Sequence, residues 1–338
     1  MLRNYFTIAA RTLWTHRGHT VINGVGLALG LAACMLLALY VQQEVSYDEF
    51  HEKADRIYQV VTTMSRSGSV DRLASTPVPS GPEMRASFPQ VERLVRLDEQ
   101  TGVAKVGDTS WETDVLFAGA GFFEMFSFPL RRGRAKTALD DPNSVVLTTE
   151  KARTYFGSTN VVGRRLSLQL NGTFYEFTVA GVARPAPNTS SIPLGVVVPF
   201  TRLTQIDRTF KDSSWRTLGP QVFVQLPSPD HADRLSARLP EFVRQHVPKE
   251  SAANTSFGLL PLTEIHLTPD VYGQLVPPSR PLYAYILAGL AAFILLIAGI
   301  NFVTPATGRS AGRSREIGVR QTLGAGRGPI MTHFWGES

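Results

Sequence analysis

The sequence holds a single cysteine, Cys34, inside a long apolar run. No disulfide framework is available, so any folded part must rest on an ordinary hydrophobic core. No G-x-x-x-x-G-K-[ST] stretch occurs, which excludes a nucleoside triphosphate held in the P-loop manner. H-E-x-x-H and paired cysteines are missing too, and with them the motifs of zincins and zinc ribbons. His231, His246 and His266 stand singly and read as surface or core histidines. No enzyme, cofactor or metal site is expected. Acid is scarce at both ends. Residues 1–20 carry Arg3, Arg11 and Arg17 with no carboxylate; residues 304–338 carry five arginines against Glu316 and Glu337. Those ends account for the whole net charge of +6, and the stretch between is neutral. Basic residues gathered beside apolar runs describe membrane topology rather than a nucleic-acid surface.

Two stretches lack charge altogether. Val21–Val41 and Tyr283–Val303 are each 21 residues long, about 31 Å as helix, the thickness of a bilayer's hydrocarbon core. Both are read as transmembrane helices, within 20–42 and 281–304. Leu31-Ala32-Ala33-Cys34 has the form of a lipobox, but the run stays apolar through Val41, where a lipoprotein would turn polar. Gly24, Gly26 and Gly30 lie near one face of the first helix, where another helix can approach. Residues 1–19, with Leu2, Tyr5, Phe6, Ala9, Leu13 and Trp14 at helical spacing, read as a cytosolic interfacial amphipathic helix. Since both spans exit toward basic ends, residues 43–280 lie outside the cytosol.

That middle part reads as an α+β domain. Strands are expected over Asp55–Met64, Val91–Leu97, Thr113–Ala118 and Val145–Thr148, and helices over Ser80–Phe88 and Thr149–Phe156, the latter stopped by Gly157. Arg165–Leu170 and Thr173–Val182 flank Asn171-Gly172, the strongest short-range signal for a hairpin with a type I′ turn. Gly121–Pro129 is an aromatic cluster suited to core packing, and Arg184–Pro193 a Pro/Asn/Ser-rich loop. Val196–Pro199, Gln221–Leu226 and Phe257–Leu262 read as strands, and His231–Val247 as an amphipathic helix. Asp48, His51 and Glu52 are near-neighbours without a recognised ligand spacing and read as a solvated helix face.

After the second span the chain is basic and partly apolar. Glu316 and Arg320 form an i,i+4 pair, Val319 and Leu323 share a face, and Gly324 is a helix stop. A short basic helix under a membrane suits docking onto a cytosolic partner. The string Arg315-Glu316-Ile317-Gly318-Val319-Arg320, then Leu323-Gly324-Ala325, then Phe334-Trp335-Gly336-Glu337-Ser338, resembles the FtsX/MacB-type ABC transporter permeases. Ser46–Val61 is similar to the start of the MacB-like periplasmic core.

The resemblance implies a fold of two transmembrane helices flanking an α+β periplasmic domain, 43–280, with porter-like ends and a mainly β, sabre-like insertion over 131–216. It implies that 305–338 begins the FtsX-like permease domain and that Arg315–Ala325 is the coupling helix resting on a cytosolic ABC ATPase subunit. Its further implications are a second permease copy or paralogue, a periplasmic adaptor and a multi-pass location in the cell inner membrane. The role implied is transmission of ATPase-driven movement for export or mechanical signalling. Ile330, Met331, Phe334 and Trp335 read as the start of a third span, so a fragment of a longer permease is expected. Pro305, Gly312 and Gly328 imply a shorter or looser coupling helix than the family's. The rival reading is a two-span sensor with an outer ligand-binding domain. Such receptors continue into a heptad-patterned helix, and no heptads follow the second span here.

Overall fold

The computed structural model describes residue 14 and residues 17–66, 68–211 and 214–312. The first elements are α1 (Arg17–Val45), β1 (Ile57–Arg66), β2 (Ser69–Leu73), β3 (Ser75–Pro77), α2 (Ser80–Ser87), β4 (Arg93–Val106) and β5 (Thr109–Ala118). Next come α3 (Phe122–Met125), β6 (Leu130–Arg132), β7 (Ser144–Thr148), α4 (Thr149–Phe156), β8 (Arg165–Leu170), β9 (Thr173–Ala183) and β10 (Val196–Pro199). The last are α5 (Phe200–Ile206), α6 (Arg208–Lys211), β11 (Leu218–Gln225), α7 (His231–His246), α8 (Lys249–Ala252), β12 (Thr255–Pro261), β13 (Val271–Tyr272) and α9 (Pro281–Gly312). Short 3-10 turns cover Ala54–Arg56 and Leu262–Leu267. The chain divides into two compact units, one of residues 1–42 and 282–338, the other of residues 43–281.

In the first unit, α1 and α9 contain stretches, Gly24–Val45 and Pro281–Ile300, long and apolar enough to cross a membrane. Most of their large side chains stay exposed, Leu29, Leu36, Leu39, Ile286 and Phe293 among them. Apolar surface of that extent is suited to lipid rather than water. Ala284, Ala291 and Ala298, seven residues apart, are buried. A Cβ at Gly30 would stand 2.9 Å from the Ala298 Cβ, so these helices meet where both residues are small. At Gly24, by contrast, a Cβ would meet nothing within 4 Å. The second helix continues through Pro305 to Gly312, further than the expected end at 304. A proline inside a membrane helix is tolerated where neighbouring groups satisfy the freed carbonyl.

The second unit is built on one mixed sheet of thirteen strands in the order β13-β2-β1-β11-β4-β5-β10-β7-β9-β6, with β12 on β1, β3 on β11 and β8 on β4 and β9. The period-2 alternation of β1 divides its side chains between two cores. Ile57 and Val61 enter a central cluster with Val95, Leu97, Phe122, Phe126 and Phe223. Tyr58 and Val60 pack on the opposite side with Leu235, Leu239 and Phe242 of α7. A third cluster surrounds α4 and β7–β10, with Val145, Leu147, Leu168 and Phe177 fully buried. Gln59 of β1, at 0% exposure, is satisfied by side-chain hydrogen bonds, its Nε2 donating to Oε1 of Gln221 and of Gln274, each at 2.9 Å.

Local rules explain most of the element ends. Asn171 and Gly172 both have positive φ (48° and 79°), the I′ geometry that matches strand twist. The Thr148 hydroxyl caps α4 by accepting from the Lys151 N–H, and Gly157, at φ 68°, closes it. The β4–β5 hairpin extends well beyond the expected strands. Its outer half, Glu99–Glu112, mixes charge with apolar residues, and its pairing partner β8 lies more than fifty residues further on. Gly121–Pro129 packs as expected, with Phe122, Phe126 and Phe128 buried.

Candidate functional site

The segment that follows α1 is hydrogen-bonded to two distant parts of the second unit, the turn around Glu124–Ser127 and the loop around Thr189–Ser191. Its sequence, Tyr47-Asp48-Glu49-Phe50-His51-Glu52-Lys53, is charged and aromatic, yet Asp48 is 0% and His51 2% exposed. The expected solvated helix face is therefore corrected for these two residues. Asp48 adopts a left-handed backbone (φ 59°), a conformation aspartate tolerates better than most residues. This turn carries the chain into the domain, where neighbours from three distant segments replace water.

Asp48 is held by the loop over 184–193. Its N–H donates to the Thr189 carbonyl at 2.8 Å, and its Oδ1 accepts from the Ser191 N–H at 2.9 Å. Burial dominates nonetheless and pushes its carboxyl up to about 6. His51 is held by the aromatic turn. Its Nδ1 accepts from the Ser127 N–H at 3.0 Å, while Phe50 and Phe128 approach its ring at centroid distances of 4.0 and 5.0 Å. Burial among these rings lowers its pKa to about 4. The imidazole is therefore neutral at pH 7, with Nδ1 as acceptor and the proton on Nε2. That Nε2 faces Asp48 Oδ1 at 3.8 Å. Glu52 N–H donates to the Ser127 hydroxyl at 2.9 Å, and Lys53 Nζ to the Glu124 carbonyl at 2.8 Å.

A second connection lies within the same unit, near its first and last residues. Glu44, in the last turn of α1, is 8% exposed and places Oε2 3.2 Å from His266 Nε2. A carboxylate only accepts, so His266 donates. The His266 ring stacks on Tyr47 at 3.3 Å with 2° between planes. Its carbonyl accepts from the Ser279 N–H at 2.6 Å, just before α9 begins at Pro281. One residue on the 3-10 turn Leu262–Leu267 thus joins Glu44 to Ser279, near the two ends of this unit. Nothing in the sequence signals this contact, because Glu44 and His266 are 222 positions apart. Asp48 and His51 did carry a signal, their i,i+3 spacing, and burial reverses its meaning.

The arrangement can hold and transmit position. Among the described residues no group of three or more His, Cys, Asp or Glu is placed to bind a metal ion. The residues expected to dock an ATPase, Arg315, Glu316, Ile317, Gly318, Val319, Arg320, Leu323, Gly324 and Ala325, lie outside the described residues, as does the expected amphipathic helix except for Trp14 and residues 17–19, the latter part of α1.

Several known proteins are similar to this chain. The pyoverdine export ATP-binding/permease protein PvdT of Pseudomonas aeruginosa is 20% identical over 98% of this chain and 47% of its own length. The uncharacterized ABC transporter permease YvrN of Bacillus subtilis is 22% identical over 99% of this chain and 82% of its own. The chain thus spans about half of the first relative. Among solved structures, a domain of a permease protein from Porphyromonas gingivalis superposes with a TM-score of 0.53 at 21% identity, covering 70% of this chain and 98% of that one. Residues 20–242 match the MacB-like periplasmic core domain. The matched stretch runs from the first apolar helix through the Tyr47–Lys53 segment and into α7, and the chain accordingly belongs to the MacB-like periplasmic core domain family.

Proposed function

We propose that the chain is the N-terminal part of the permease subunit of an ABC system of the MacB/FtsX type, passing ATPase-driven movement across the inner membrane to its periplasmic domain. The observation that carries this reading is His266, which joins Glu44 at the end of α1 to Ser279 before α9. A displacement at either helix end is then met by a packed polar contact rather than a slack linker, as a mechanical relay requires. ATP is hydrolysed by a separate cytosolic subunit, which docks on Arg315–Ala325. A second permease copy or a paralogue completes the pair, and a periplasmic adaptor is a further partner. The working parts are residues 1–19 on the cytosolic face, spans at 20–42 and 281–304, the periplasmic core at 43–280 with its sabre-like 131–216, and the permease domain from 305. Export is the favoured outcome, since PvdT, aligned along nearly the whole chain, is named an export protein.

The test is co-purification with a candidate ABC ATPase and its effect on that ATPase. Glu316→Arg is expected to abolish association, and His266→Ala to leave association intact while removing the permease's effect on ATP turnover. Unchanged association of Glu316→Arg refutes the docking role. Unchanged turnover with His266→Ala refutes the relay. Topology is checked by cysteine accessibility, with Gly324 and Asn171 expected in opposite compartments.

A further inference from the structure

A cleft on the second unit carries a cation that the coupling role does not use. Two adjoining hollows, about 560 and 420 Å³, share Arg96 of β4 together with Gly119 and Ala120. Sites that hold small organic ligands commonly fall in this size range, ~300–1,000 Å³. The hollows open where two neighbouring parallel strands end: β5 finishes at Ala118, β10 at Pro199, and these two residues are in register. Crevices beyond the carboxyl ends of parallel strands are common ligand positions.

Three arginines line the larger hollow, and two are already engaged. Arg93 pairs with Glu124 at 3.1 Å, and Arg85 donates to the carbonyls of Val91 and Glu92, each at 3.0 Å. Arg96 is different. Among the described residues it has no carboxylate within 4.0 Å and its guanidinium donates no hydrogen bond, although the side chain is half-buried. Such a cation is costly to keep, and burial lowers its pKa.

The fold nevertheless holds Arg96 in place. A Cβ at Gly81 would stand 2.9 Å from its Cδ, so the glycine leaves the groove in which its stem lies. A Cβ at Gly119 would come within 3.1 Å of its backbone nitrogen. The guanidinium carbon lies 4.2 Å from the centre of the Phe200 ring, which leaves the planar fork stacked on an aromatic surface. A desolvated, stacked and unpaired guanidinium over a hollow is the arrangement that receives a planar or tetrahedral oxyanion through two parallel N–H bonds. Phe200 and Leu139 supply apolar wall in the smaller hollow, which Asp140 also lines. That carboxylate disfavours a second negative group on the ligand.

We propose that this cleft binds a small organic anion with one carboxylate or phosphate group, held by Arg96, and an apolar body lying against Phe200. The site stands independently of the permease reading. The test uses the full chain in detergent, titrated calorimetrically at fixed ionic strength with benzoate, phenyl phosphate and the neutral benzamide. Saturable binding of at least one anion is expected, with benzamide weaker by about tenfold or more. Arg96→Gln is expected to weaken the anion by about tenfold or more and Arg96→Lys by less, because lysine keeps the charge but loses the fork. Arg132→Gln, exposed on β6, is expected to change nothing. If Arg96→Gln does not fold, Gly81→Ala serves instead, since it crowds the stem and leaves the charge. No saturable binding by either anion below about 10 mM, or equal affinities in parent and folded Arg96 or Gly81 variants, overturns the proposal.

Discussion

His51 and His266 are both almost fully buried in the same unit, and they are held in opposite ways. His51 accepts from a backbone N–H and sits among phenylalanine rings. His266 donates to a carboxylate and stacks on a tyrosine. The first must lack a proton on Nδ1 and the second must carry one on Nε2. Burial alone therefore does not say what a histidine does; the partner's donor or acceptor character decides it. His51 ties the Tyr47–Lys53 segment to the aromatic turn of the central core, whereas His266 ties Glu44 to Ser279.

The comparison is broken most severely at His51. His51→Ala leaves a hole among the rings and an unpaired Ser127 N–H, and is expected to cost about 3 kcal/mol, read as a drop in the urea midpoint of the detergent-solubilised chain. A smaller loss than that of His266→Ala would show that the core does not depend on it. Acid sharpens the contrast next. His51 has a folded pKa near 4 against 6.5 for the free group, so its contribution is full above pH 6.5 and lost as pH falls toward 4. Asp48 runs the other way. Its carboxyl is raised from 3.8 to about 6, so its contribution is greatest below 3.8 and lost as pH rises to 6. The two slopes oppose each other in the parent. Asp48→Asn is expected to unmask the histidine, losing on the order of 3 kcal/mol more than the parent between pH 6.5 and 4. Identical pH profiles for Asp48→Asn and parent would end that account.

Glu44→Gln, which keeps an acceptor for His266 but removes the charge, is expected to cost about 1–2 kcal/mol, measured by the same denaturation at pH 7. If Glu44→Ala costs no more than Glu44→Gln, the hydrogen bond is not what holds His266. The smallest effect belongs to a place without tertiary partners. Asn171→Ala puts a β-carbon residue without a compensating amide at positive φ, and is expected to cost about 1 kcal/mol, with the pH profile unchanged.

Much of the fold was legible because it follows from neighbours in sequence. Thr149–Phe156 was stopped by its glycine, and the β8–β9 hairpin was set by Asn171-Gly172, since those devices act within four residues. The two apolar helices were legible from length and lack of charge. The outer half of β4–β5 was not, because Asp98-Glu99-Gln100-Thr101 gives no alternation and its pairing depends on β5 and β8. At the site, the string from Tyr47 to Lys53 stood out by resemblance, but its reading as a solvated face was wrong for Asp48 and His51. Their exposure depends on Ser127, Thr189 and Ser191, none of them near in sequence.

By itself, then, the sequence determined the two apolar helices, the neutral α+β middle, and the local turns and caps, all set by the chain's own backbone preferences and hydrophobic pattern. Tertiary structure alone decided that Asp48 and His51 are buried, that Glu44 meets His266 across 222 positions, and that Arg96 has no acid partner among the described residues. The physical reason is the same in each case. Desolvation and hydrogen-bond partnership are properties of what surrounds a group in space, and a polar side chain carries no local mark of whether water or another segment will surround it.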